Sequence, residues 1–163
     1  DYEIAQQQGV SIPAPKKPSN NAFKEYVEAE KKIQQKILWD SYLDDIEIQT
    51  GRKIPMNQRE LVISEGINNN NNHVKLPKSE SRMHRRNFNK EKDKLIKEWE
   101  NNTNQTWPST STPTSRKYDA HEIIPNVYNS PLKWWNLHPA AFPNEHQSGI
   151  HRIKSPLYKI YPR

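Results

Sequence analysis

The residues best suited to chemistry lie towards the C-terminal end: His121, His146 and His151, with the carboxylates Asp119 and Glu122 flanking the first. Neutral imidazole is the commonest nitrogen ligand for transition metals, and three that converge form a chelating set. The ring nitrogens must be deprotonated to bind, so metal occupancy should fall as the pH drops below about 6. Asp119 or Glu122 would add a carboxylate for proton transfer or for orienting a ligand. His138 is a fourth histidine in the same region, though His138 and His146 also read as ordinary surface histidines. The chain has no cysteine, so His, Asp and Glu are left to hold a metal.

Several elements must position these groups. The run Tyr118 to Pro125 reads as a short strand ending at proline, with Asp119 and His121 on one face and Ala120 and Glu122 on the other. A turn-rich loop, 126–131, leads to a return strand over 133–137, where the adjacent Trp134 and Trp135 would supply most of the local core. A helix is predicted over 139–152. On an ideal helix five residues leave His146 and His151 about 140° apart, so they need a helix end or a break, which Gly149 offers.

Upstream, the pattern is helical. Phe23, Tyr26, Val27, Ile33, Ile37, Leu38, Tyr42 and Leu43 recur at three- and four-residue spacing, predicting one buried stripe on a helix over 21–49 that ends at Thr50-Gly51. A second short helix is expected over 57–67 and a third over 81–102, the latter with Phe88, Leu95, Ile96 and Trp99 on one side and mainly Lys and Arg on the other. The segment Thr50 to Pro55 has a faint echo in Thr103 to Pro108: each time a helix ends at a polar turn that presents one large apolar residue before proline. Residues 1–20, with three prolines, read as an extended linker, and 68–80 and 109–115 as loops.

Composition bounds the rest. Of 163 residues only 32% are hydrophobic, which suits one small domain of about 100 residues with a thin core rather than a single compact ball. No run approaches the roughly 18 apolar residues of a membrane-spanning helix, so stable membrane insertion is not expected. Lys and Arg exceed Asp and Glu by 25 to 19, and this net +6 favours an anionic partner such as nucleic acid or an acidic protein. The chain starts at Asp1 without the basic and apolar blocks of a signal peptide, and is expected to derive from something longer.

The stretch DAHEIIPNVYNSPLKWWNLHPAAFPNEHQSGIHR, residues 119–152, resembles the HNH nucleases, in particular those of DNase colicins, pyocins and other bacterial polymorphic toxins. The resemblance implies an α+β fold: a mainly helical part over 21–108 followed over 109–163 by a ββα-metal motif, the two together forming one domain. It also implies metal-dependent cleavage of phosphodiester bonds. His121, His146 and His151 then correspond to the metal ligands, Asn136 to the residue that braces the hairpin loop, and Asp119 to an acidic residue two before the first ligand. Arg116, Lys133 and Arg152 would hold phosphates. The family usually has His after the first ligand as general base, where this chain has Glu122, leaving Glu122 or His138 for that role; the gap between His146 and His151 is one residue longer than in the colicins. Three imidazoles suit Zn, Ni, Co or Mn, and phosphate oxygens could complete a Mg shell.

As implied partners, DNA or RNA is the substrate and a small acidic immunity protein protects the producer. The expected setting is delivery from one bacterium into the cytoplasm of another. A non-catalytic basic module that binds nucleic acid or assembles in a larger complex is the competing reading. An amide-hydrolysing metal site lacks its His-Glu-x-x-His helix.

Overall fold

The computed structural model describes residues 20–69, 73–111 and 114–163. The linker expected over 1–20 lies, apart from Asn20, outside the described residues. The chain divides into one unit ending at Gln34 and another over Gln35–Arg163. Three long helices, α1 (Asn20–Thr50), α2 (Met56–Asn68) and α3 (Lys78–Thr103), precede a two-stranded antiparallel sheet of β1 (Asp119–Glu122) and β2 (Leu137–Ala140), and a short α4 (Leu157–Ile160) follows. The fold is α+β. Among the described residues no helix is long and apolar enough to cross a membrane.

In the first unit the described part is the helical segment 20–34, in which Phe23, Tyr26 and Ile33 are exposed rather than buried among the described residues. Burial on α1 begins only at Trp39 and continues through Tyr42, Leu43 and Ile46, leaving Ile37 exposed. These residues form a core with Val62 of α2, with Ile123, Ile124 and Ala140 of the hairpin, and with Ile150, Leu157 and Tyr161. Helix α2 approaches closely because residue 66 is glycine: a Cβ there would lie 2.2 Å from the Trp39 ring. A second core joins Phe88, Leu95, Ile96 and Trp99 of α3 to Trp107 and Leu137. The hairpin lies between the two, which is how so polar a chain buries both of its faces.

The hairpin register pairs His121 with His138 and Glu122 with Leu137. The return strand therefore starts at Leu137, not at Lys133, since Trp134–Asn136 is a single 3₁₀ turn. That turn sends the adjacent tryptophans apart. Trp135 packs on the first core and Trp134 on the second, both half-buried, so most of the core comes instead from Trp39, Tyr42, Trp99 and Trp107. Gln58 of α2 fastens the turn by donating to the carbonyls of Trp135 (3.0 Å) and Leu137 (2.7 Å).

The paired helix ends share their geometry. Thr50 and Thr103 each donate their hydroxyl to the carbonyl four residues back, and Gly51 and Asn104 follow in the left-handed conformation. The carboxylates of Glu47 and Glu100 then accept the backbone N–H of Ile54 (2.7 Å) and Trp107 (2.8 Å), each placed before proline and buried. One local device thus aims one large side chain into each core.

His138 is buried and its Nε2 donates to Thr50 Oγ1 at 2.8 Å, since the threonine proton is already given to Ile46 O. Burial, with a smaller contribution from Arg52, pushes its pKa down to about 3. A neutral buried histidine of this kind binds fewer protons folded than unfolded, so its contribution to stability is complete above about pH 6.5 and is lost as the pH falls towards 3. Between pH 7 and pH 4 the wild type should lose roughly 3 kcal/mol more than His138→Gln, read from urea midpoints across pH. Gly66→Ala gives a test of opposite local and global effects: helix propensity alone would raise stability by about 1 kcal/mol, but the Trp39 clash should lower it by about 1–3 kcal/mol, measured by urea unfolding at pH 7.

Candidate metal centre

His121 sits on β1, buried, while His146 and His151 come from the segment after β2 and are half-buried. No α-helix spans 139–152. Instead His146–Ile150 forms a π-helical turn, in which Ile150 N donates to Glu145 O and His151 N to His146 O, both at 2.9 Å. In such a turn the residue five positions on lies directly above the first, so the five-residue gap that an α-helix would splay becomes a stack. Gly149 allows the wide turn to close: a Cβ there would stand 2.8 Å from Asn144 O and 3.2 Å from Gln49 Oε1. Arg152 is held bidentate by Asp45 of α1 at 2.8 and 2.9 Å, and Arg52 pairs with Glu145 at 3.0 Å, so the turn is fastened to the end of α1 on both sides.

The three rings meet with centroids 4.8–5.2 Å apart, and one nitrogen from each lies within 4.8 Å of the others. Hydrogen bonds assign the tautomers. Tyr42 donates its hydroxyl proton to Ile123 O (2.7 Å) and so accepts from His121 Nε2–H (2.8 Å), which leaves Nδ1 of His121 with a lone pair. His146 Nδ1–H donates to Asp119 Oδ2 (3.1 Å) and His151 Nδ1–H to the Tyr158 hydroxyl (3.1 Å), leaving Nε2 free on both. His121 Nδ1 and His146 Nε2 then face each other at 3.3 Å with two lone pairs, an arrangement that asks for a cation. The spacing matches the edge of a tetrahedron with Zn–N bonds near 2.05 Å, about 3.3 Å.

Electrostatics keep the donors available. Burial first, and then the neighbouring imidazoles, hold His121 well below the usual histidine range. Burial, His146 and Arg163 push His151 down to about 4. Both imidazoles are therefore neutral at pH 7 and each keeps a lone pair that could bind a metal. The residues present fit a divalent transition metal.

The rings open into a hollow of about 280 Å³ that Arg85, Glu122 and Val127 also line. Glu122 is buried, its Oε1 paired with Arg85 Nη1 at 2.5 Å and its Oε2 accepting from Ser130 Oγ, which in turn accepts from His84 Nε2 at 2.9 Å. Asn136 is buried at the other side of the hairpin, where its amide accepts from Ile124 N (2.8 Å) and donates to Ile124 O (3.1 Å). Of the cations expected to hold phosphate, none lines the hollow: Arg116 is exposed beside Asp119 at 3.4 Å, Lys133 is exposed ahead of the 3₁₀ turn, and Arg152 is committed to Asp45. His138 stands apart from the three-ring cluster, bound to Thr50. Tyr42, Tyr158 and Arg85 take part instead. Helical periodicity marks Tyr42 as core and Arg85 as solvated surface, so neither carries a local signal of its role.

No family model matches the chain, and no solved structure matches it. It is 43% identical over 132 residues to Toxin YxiD of Bacillus subtilis (strain 168), an alignment that covers 74% of this chain and 23% of that protein. It is also 34% identical over 78 residues to the Probable deoxyribonuclease RhsB of Dickeya dadantii (strain 3937), covering 48% of this chain and 5% of that protein. The chain thus spans about a quarter of the first relative's length and about a twentieth of the second's, and is similar to a segment of a toxin and of a probable deoxyribonuclease.

Proposed function

We propose that this chain is a metal-dependent endonuclease of the HNH type that cleaves phosphodiester bonds of DNA with little sequence preference, and that it acts as a toxin. The observation that carries the reading is the convergence of three imidazole lone pairs beside a buried carboxylate and an arginine in one open hollow. Similarity to a toxin and to a probable deoxyribonuclease supports it.

A divalent ion bound by His121, His146 and His151 would polarise the scissile phosphodiester and stabilise the charge that develops on it. Asp119, Tyr42 and Tyr158 keep the three ligand nitrogens deprotonated and aimed at one point. Arg85, with its side chain 45% exposed at the mouth of the hollow, offers the guanidinium that holds a phosphate oxygen. Glu122 accepts the proton of the attacking water; although both its oxygens are engaged, a carboxylate has about four acceptor positions. As that proton leaves, the water oxygen bonds to phosphorus, the ester P–O bond breaks, and the departing oxygen takes a proton from solvent. Asn136 holds the hairpin that carries Glu122 and His121 in place.

A net charge of +6 suits the phosphate backbone, a contact that carries no sequence information. It equally suits a small acidic immunity protein in the producing cell, with the toxin acting in the cytoplasm of its target.

The test is plasmid nicking with titrated Zn, Ni, Mn or Mg. The wild type should nick in a metal-dependent way, and His121→Ala or His151→Ala should lose at least a hundredfold; undiminished nicking overturns the site. Degradation of RNA with DNA left intact would keep the site and change the substrate. Tyr42→Phe leaves the ring packed but removes the bond that orients His121, and should weaken metal affinity about 10- to 100-fold by calorimetry.

A further inference from the structure

A second hollow of about 210 Å³ lies beside the first, with Pro125, Val127 and His151 common to the walls of both, and Lys75, Tyr158 and Arg163 line it further. His151 thus stands between two adjoining spaces, and the charges on its two sides differ. On the near side Arg85 is balanced by Glu122. On the far side Lys75 and Arg163 are both exposed, and neither forms an ion pair among the described residues.

These two cations are placed rather than merely present. The Arg163 guanidinium lies 4.4 Å over the Tyr158 ring, and its Nη2 donates to His151 O at 2.9 Å. Tyr158 is the residue whose hydroxyl takes the His151 Nδ1–H, so one side chain both orients a ligand and supports the arginine. A stacked guanidinium keeps its remaining N–H donors in a fixed plane, which suits phosphate oxygens. Lys75 is fixed from the other side, because the next residue, Leu76, donates its backbone N–H to Val127 O at 2.7 Å and anchors the segment to the turn that floors both hollows.

We propose that the second hollow is a phosphate subsite: Lys75 and Arg163 bind the phosphodiester next to the one being cut, so that a single polynucleotide strand crosses the Val127 ridge with successive phosphates on either side of His151. The position "next to the one being cut" rests on the nuclease reading; the binding of a second phosphate does not. The half-exposed Val127, flanked by Pro125, gives the intervening sugar an apolar surface to cross.

Two measurements separate the subsite from the nuclease reading. The first is anisotropy of a fluorescein-labelled single-stranded oligonucleotide titrated with metal-free protein, over a range of salt. Lys75→Gln/Arg163→Gln should bind about tenfold more weakly, and its slope of log affinity against log salt should shrink by about 0.7, the value for one lost phosphate contact on a single strand. Lys75→Gln alone, an exposed side chain that forms no ion pair among the described residues, should move both readouts the same way, and Lys75→Arg should restore them. The second is cleavage of an oligonucleotide with one phosphodiester against one with two. The wild type should gain at least tenfold in kcat/KM from the second, and the double variant should lose most of that gain. Equal affinity and equal salt slope in wild type and variants overturn the subsite, even if both cut DNA. A wild type that binds the oligonucleotide but cuts nothing overturns the nuclease reading and leaves the anisotropy comparison to decide the subsite, and a wild type that does not bind overturns both.

Discussion

The hydroxyl of Tyr42 gives its single proton to the Ile123 carbonyl and takes the Nε2–H of His121, all three residues being buried. That one oxygen joins α1 to the end of β1 and the residue that follows it, and simultaneously decides which nitrogen of His121 is left to act. The rest of the inner face of α1 extends the same arrangement. Asp45 grips Arg152, Gln49 packs at Gly149, Thr50 receives His138, and Arg52 pairs with Glu145. Three of these attachments, from Asp45, Gln49 and Arg52, fix the segment that bears two of the three imidazoles, and the fourth, from Thr50, holds β2. Removal of the helix would leave a four-residue hairpin with little apolar surface of its own, and two-stranded ribbons of that size are marginal in water.

This explains how a chain with 32% hydrophobic residues holds a defined site. Its apolar material is not pooled in one interior but divided between two thin layers on opposite faces of the hairpin. The 3₁₀ turn that separates Trp134 from Trp135 is the hinge of that division, assigning one indole to each layer. Gln58 and Asp45 are buried, and the bonds they make, to the 3₁₀ turn and to the half-exposed Arg152, are directional in a way that apolar contact is not.

Much of this was legible from residue order alone, and for identifiable reasons. The three long helices follow from apolar spacing and from the break at Gly51, although the third begins at Lys78 rather than at 81, and the strand carrying His121 follows from alternation cut short by Pro125. The grouping of histidines is visible because few other residue types concentrate metal-binding capacity. What could not be read was whatever depends on distant partners. The apolar stripe of α1 extends back to Phe23, yet among the described residues its burial begins only at Trp39. Tyr42 lies 79 positions from the ring it orients, and the Arg85 that faces Glu122 is one of several basic residues on its helix with nothing local to distinguish it. The start of β2 was misread because two aromatics favour a strand, whereas the backbone there must turn to deliver them to different cores.

The π-helical turn bears on how such sites are recognised in other chains. With α-helical bonding, residues four apart stack; with the wider ladder seen at His146–Ile150, residues five apart do. The five-residue gap is held inside a single turn of backbone instead of being extruded as a loop, and the two imidazoles come together at 4.8 Å between ring centroids. A pattern written with a four-residue gap between two histidines misses this arrangement. What brings the two rings together is one helical turn, whatever number of residues the turn contains, so gaps of four and five residues serve alike provided a glycine stands where the wider turn must close.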